Sequence, residues 1–278
     1  MTISRRDVLG GTAGFAMTTE LAAQPLAGSE RRPIVLVHGA GHGGWCWKMV
    51  REQLLADGFS VFTPTLTGLG ARVHLRSPSL SLETHILDVE NLIRWEELDN
   101  VILVGHSYAG MVITGVCDRL KSRIAHVIYL DAALPKDGQA AFPDLTKEIV
   151  EERSGPLVDG YLMTVNNLAA LGVANEGPEI RAWMQRRLTE HPLQLMTEPI
   201  KLVNGGSEGI ARTFVLCADP DKLPPRISKK ISTLKDDPSW RYVEKVGPHN
   251  VMITDPLWTA ALIADAAASP TRGLRQDM

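Results

Sequence analysis

The chain has 278 residues, 44% of them hydrophobic and 22% charged, with a formal net charge of -3 and a pI near 6.2. That is enough to bury one substantial core, or one core carrying an insertion. It supplies no basic face for a nucleic-acid backbone and no run of about 18 apolar residues to cross a bilayer, so neither nucleic acid nor a membrane is expected as a partner.

The first segment, "MTISRRDVLGGTAGFAMTTELAAQPLAG", puts Arg5 and Arg6 ahead of a modest apolar run from Val8 to Met17, followed by small residues around Ala22, Ala23 and Ala27. This pattern predicts a twin-arginine export signal over residues 1–27, and with it a periplasmic or secreted destination; the alternative is a disordered tail on a cytoplasmic protein.

Beyond it, apolar β-branched runs alternate with amphipathic stretches. In order they are "PIVLVHG" (33–39), "WCWKMVREQLLADG" (45–58), "SVFTPT" (60–65), "SLETHILDVENLIRWEEL" (81–98), "NVILVGHS" (100–107), "AGMVITGVCDRL" (109–120) and "IAHVIYLDA" (124–132). The alternation predicts an α/β fold: a doubly wound, mostly parallel sheet with helices on both faces. The strands read as near-continuous apolar runs, as strands covered on both faces do. Ser81 is the expected N-cap of a helix whose Ile86, Val89, Ile93 and Leu98 recur at helical spacing.

After Pro135 the rhythm changes. Residues 136–210 hold helical pieces such as "EIRAWMQRRLTEH" and "LQLMTEPIKLVNGG" without a clear strand, and predict an inserted helical cap. Strand patterning resumes in "ARTFVLCAD" (211–219) and "WRYVEKVG" (240–247), and the chain ends on the helix "PLWTAALIADAAA" (256–268). Residues 33–135 and 211–268 thus form the core.

One stretch carries chemistry. "VILVGHSYAG" ends a buried strand on Ser107, flanked by Gly105, Ala109 and Gly110. A serine on a sharp strand-to-helix turn projects its hydroxyl from the C-terminal edge of the sheet, and the turn tolerates only small neighbours: a nucleophile elbow, G-x-S-x-G with alanine at the second glycine. Serine is a weak nucleophile unaided and needs a base, an orienting acid and oxyanion donors. His249, in "VGPHNVMITDP" between the last strand and the last helix, is the expected base. The glycine-dense loop "HGAGHGGW" (38–45) is the expected oxyanion loop, with the backbone N–H groups of Ala40 and Tyr108 as donors.

Other chemistries find less support. The loop lacks G-x-G-x-x-G, G-K-[ST] and a later ribose-binding acid, so it is no nucleotide cradle. Among eight histidines only His38 and His42 have an i, i+4 spacing, with no carboxylate nearby, so no metal is expected and no cofactor is needed. Cys46, Cys117 and Cys217 sit in apolar segments and are read as buried thiols.

"VLVHGAGHGGWCW", "VILVGHSYAG", "CADPDK" and "PHNVMITDP" together resemble the α/β-hydrolase branch that contains plant methylesterases, hydroxynitrile lyases and bacterial esterases, including carbamate-cleaving ones. The resemblance spans residues 33–268, is nearest to the bacterial members through "FTPTLTGLGARVHL", "LETHILDVENLI" and "GHSYAGMVITGV", and does not extend to the cap. It implies the same roles for Ser107, His249, Ala40 and Tyr108. Lyases of the branch carry a threonine after the first-loop histidine and a lysine after the catalytic one; this chain has Gly39 and Asn250, which favours hydrolysis.

The resemblance also points to an acid in the loop after the penultimate strand. Of Asp219 and Asp221 in "CADPDKLPP", Asp221 is expected, since it lies 28 residues before His249, the spacing the family shows, and Pro220 leaves Asp219 to cap the turn. Asp131, at the end of the strand after the elbow, is the rival. The expected function is a serine esterase acting through an acyl-enzyme on a small, largely apolar ester. The alternatives are a carbamate or amide hydrolase, then a lyase or a ligand-binding protein that keeps the triad without turnover. Trp183, Met184, Leu193, Leu195 and Met196 are candidates for lining the cap, or for ordinary helix packing.

Overall fold

Apolar residues two apart on the central strands divide between two cores. On β1 (Ile34–Val37), Val35 and Val37 join one core and Ile34 and Leu36 the other. The same split holds on β3 (Val101–His106), where Leu103 faces the first core and Ile102 and Val104 the second. A period-2 strand that is apolar at every position demands cover on both faces, and it receives it.

The computed structural model describes residues 31–164, 177–223 and 225–268. With β2 (Val61–Phe62), β4 (Ile124–Leu130), β7 (Ala211–Leu216) and β8 (Trp240–Glu244), the strands form one six-stranded sheet in the order β2-β1-β3-β4-β7-β8, every pair parallel. Helices α1 (Lys48–Ala56), α2 (Leu82–Trp95) and α3 (Ala109–Arg119) follow the first three strands. The first core packs α2 and α3 through Ile86, Val89, Ile93, Met111 and Val112. The second packs α1 through Val50 and Leu54 against Leu262 and Ile263 of the closing helix Pro256–Ala268. The Ser81 hydroxyl accepts the Thr84 N–H at 3.3 Å, so it is the N-cap of α2 and contributes about 1 kcal/mol.

Between β4 and β7 the chain differs from an all-helical insertion. Helix α4 (Lys147–Ser154) and helix α5 (Pro178–Gln185) are joined there by β5 (Leu162–Met163) and β6 (His191–Pro192), which pair antiparallel. The stretch "LQLMTEPIKLVNGG" gives only the single turn α6 (Gln194–Thr197), because Pro199 follows at once and a residue before proline leaves the α region. Residues 165–176 of this insertion lie outside the described residues, as do residues 1–27 with the expected export signal.

Candidate active site

The sheet register sets the site before any side chain is considered. His106 pairs with Leu130 and Val37 with Gly105, so the next residues along, Ser107, Asp131 and Gly39, emerge side by side at the C-terminal edge. In parallel α/β sheets this edge is where ligands bind.

Ser107 stands at φ +56°, a left-handed conformation that a non-glycine residue holds at a cost of about 1–3 kcal/mol. Its backbone is tied on both sides. The N–H donates to Leu130 O at 3.2 Å, and the carbonyl accepts from Gly110 N–H at 3.1 Å and Ala133 N–H at 2.9 Å. Small neighbours are required because other backbone lies against them. A Cβ at Gly110 would stand 2.0 Å from Ala133 O, and one at Gly39 would stand 3.0 Å from Ser107 Cβ. Gly110 therefore supplies the close approach that Ala109, in the motif's second glycine position, does not.

Asp131 is the second left-handed residue at this edge, at φ +47°. Its N–H donates to Val215 O at 2.8 Å, and its Oδ1 accepts the Cys217 N–H at 3.2 Å. Its Oδ2 receives a 2.5 Å hydrogen bond from His249 Nδ1. The expectation that Asp221 meets His249 is thereby corrected: the carboxylate on the imidazole is Asp131. The physical reason is strand adjacency. Leu130 pairs with Val215, so the ends of β4 and β7 are neighbours and a carboxylate from either reaches the same place. Asp131 fills it. Asp221 lies exposed on a 3-10 turn (Pro220–Lys222), with its N–H held by Asp219 Oδ1 at 3.1 Å; Asp219 also pairs with Lys222 at 2.9 Å.

His249 is fastened to the elbow. Its carbonyl accepts from His106 Nε2 at 2.9 Å, and the two rings lie 4.5 Å apart between centroids. The segment that carries His249 is bridged by Lys245, which pairs with Asp255 at 2.7 Å. Ala40, in the loop after β1, and Tyr108, directly after Ser107, are both buried residues, and neither main-chain N–H donates to a backbone acceptor among the described residues. Buried N–H groups without acceptors are rare in folded chains.

Burial disfavours the charged form of the remaining imidazoles near the site. Burial drives His38 down to about 3 and His42 to about 4, and holds His85, His106 and His191 below the usual 6.5 as well. His38 is committed to the scaffold: Nε2 accepts the Leu66 N–H at 3.0 Å, so Nδ1–H donates to Gly39 O at 2.9 Å. Among the described residues no cluster of three or more His, Cys, Asp or Glu side chains is arranged to hold a metal ion. All three cysteines are buried and unpaired.

Of the cap candidates, Leu195 and Met196 lie in the same core as Ala40 and Tyr108, Leu193 packs against that core, and Met184 and Trp183 belong to the other. His191 was missed by sequence reading. It lies in a stretch, "RRLTEHP", that reads as the tail of a helix.

A family model described as the alpha/beta hydrolase family matches residues 34–262. The chain belongs to this family. It is 39% identical over 234 residues to the carbendazim hydrolyzing esterase of Nocardioides sp. (strain SG-4G), covering 80% of this chain and 94% of that one. Methylesterase 10 of Arabidopsis thaliana is 26% identical over 260 residues, 84% of this chain and 91% of that one. Among solved structures, an extracellular alpha/beta-hydrolase from a Paenibacillus species superposes with a TM-score of 0.70 at 22% identity, over 86% of this chain and all of that one, a likeness of fold. The chain is a hydrolase with esterase relatives.

Proposed function

We propose that the protein is a serine esterase with Ser107 as nucleophile, His249 as base and Asp131 as the orienting acid. The observation that carries this reading is a serine in the left-handed conformation at the C-terminal edge of the sheet, beside the strand end whose Asp131 carboxylate holds His249 Nδ1. His249 takes the Ser107 hydroxyl proton as Oγ attacks the ester carbonyl. The Ala40 and Tyr108 N–H groups receive the resulting oxyanion, and His249 returns the proton to the departing alcohol. Water then attacks the acyl-enzyme by the same route, releasing the acid. Asp131 keeps Nδ1 protonated and stabilises the imidazolium.

Hydrolysis rather than lyase chemistry is supported at position 39. A Cβ there would lie 2.9 Å from His106 Nδ1, so the lyases' threonine would require the elbow to move. The carbendazim-hydrolysing relative supports a second reading, in which a carbamate is cleaved through the same intermediate. The proposed substrate is a small, largely apolar molecule admitted between the sheet edge and the insertion at residues 136–210. Export by the twin-arginine route is also proposed, on "SRRDVLGG".

Steady-state turnover on a panel of p-nitrophenyl esters and methyl carbamates of graded size tests the reading. Hydrolysis of panel members by the wild type, abolished in Ser107→Ala, is expected. A folded wild type that turns over none of them contradicts it.

A further inference from the structure

Two residues of the cap, Thr189 and His191, close on the oxyanion loop. The Thr189 N–H donates to Gly41 O at 2.9 Å, and its hydroxyl, 3.4 Å from the same oxygen, accepts the Gly70 N–H at 3.2 Å. Arg76 donates to the Glu190 carboxylate at 3.0 Å and to its carbonyl at 3.3 Å, pinning this strand of the cap. His191 then receives the Gly41 N–H on Nδ1 at 3.3 Å. Both polar groups of Gly41, a residue at φ +70°, are thus held by the cap and not by the loop itself.

His191 touches the other half of the hole as well. Its ring stands edge-on to the Tyr108 ring with centroids 4.9 Å apart, and the Tyr108 hydroxyl is engaged by His85 at 3.1 Å. The side chain is fully buried. Because Nδ1 accepts, the proton of the neutral ring sits on Nε2, which is buried without a partner. A buried N–H left unsatisfied is tolerated only where the rest of the side chain's contacts over-determine its place.

We propose that His191 is a positioning residue of the oxyanion hole. It is seated on the cap and holds the peptide following Ala40 through Gly41, and the residue following the nucleophile through the Tyr108 ring. The inference rests on the serine-esterase reading above and adds a residue to it. The cap thereby sets the aim of the two N–H donors, whose contribution depends on sub-ångström placement. An acceptor at the Nδ1 position, rather than bulk, is what the loop requires.

The test compares His191→Phe, which keeps a ring on Tyr108 but removes the acceptor, with His191→Asn, whose Oδ1 can occupy the place of Nδ1. Turnover of p-nitrophenyl acetate and inhibition by phenylboronic acid, which forms a tetrahedral adduct on the serine, are measured on variants whose melting temperature confirms the fold. The phenylalanine variant should lose about 10- to 100-fold in kcat with KM little changed, and boronate affinity in proportion. The asparagine variant should recover most of both. Wild-type kcat in His191→Phe, equal losses in the two variants, or a loss confined to KM would overturn the proposal. If His191→Phe does not fold, His191→Ala takes its place with the same expected and overturning results. Failure of the underlying reading is distinguishable, since it would appear in the wild type as absence of Ser107-dependent turnover.

Discussion

Asp131 Oδ2 and His249 Nδ1 meet at 2.5 Å across 118 residues of sequence, and the other Asp131 oxygen is fixed by a main-chain N–H at the end of the neighbouring strand. One carboxylate therefore fixes both the tautomer and the direction of the imidazole. In the well-studied protease triad, the amide replacement of this acid lowers turnover about 10⁴-fold.

Asp131→Asn should accordingly lower kcat by several orders of magnitude. Asp221→Asn, on an exposed turn, should change it less than about twofold, the effect of an ordinary surface substitution. Turnover of both purified variants with matched circular dichroism decides this. The reverse order would return the acid to the loop after β7.

Gly110→Ala should damage the site from a distance. The added methyl group collides with the Ala133 carbonyl, on the loop that carries Asp131 and bonds to the Ser107 carbonyl. We expect a loss of about 1–3 kcal/mol in stability, as for other overpacked sites, and of activity with it. Gly177→Ala is the control, since a Cβ there meets nothing within 4 Å and φ is -57°. Denaturant melts of the two variants should separate clearly; equal stability would mean that the elbow yields.

Alternating apolar runs placed the core strands and their helices, because burial on both faces leaves a mark in every residue of a central strand. The elbow was legible because a left-handed serine needs small neighbours, and His249 because it directly follows the last strand. The acid was not, because Asp131, Asp219 and Asp221 all lie near strand ends, and which of them reaches His249 depends on the pairing of β4 with β7. The β5–β6 pair was hidden for a related reason: two-residue strands carry no period.

Acid should unfold the protein before it would otherwise do so. His38, His42 and His126 are held at about 3, 4 and 4 by burial, whereas in the unfolded chain they titrate near 6.5. The unfolded state therefore binds protons first as pH falls below about 6.5, and each such histidine removes stability at about 1.4 kcal/mol per pH unit. Three together remove about 4 kcal/mol per unit, a large part of the 5–15 kcal/mol of a typical domain. Circular dichroism against pH should show cooperative unfolding between about pH 6 and 4, and His126→Gln should make it shallower. A signal unchanged down to pH 4 would contradict the burial-lowered titration of these histidines.

Replacing Arg5 and Arg6 by lysine should leave the folded enzyme in the cytoplasm of its host while the wild type is exported with residues near 1–27 removed. Fractionation followed by N-terminal mass analysis reads this. A wild type retained in the cytoplasm at full length would refute the export proposal.

Covalent labelling tests the central claim most directly. The wild type, treated with a fluorophosphonate and read by intact-mass and peptide mass spectrometry, should carry one adduct, on Ser107. Ser107→Ala, melting at the same temperature, should carry none and have lost several orders of magnitude in turnover. A wild type that hydrolyses esters without labelling, an adduct on another residue, or a Ser107→Ala variant of wild-type activity would contradict the account.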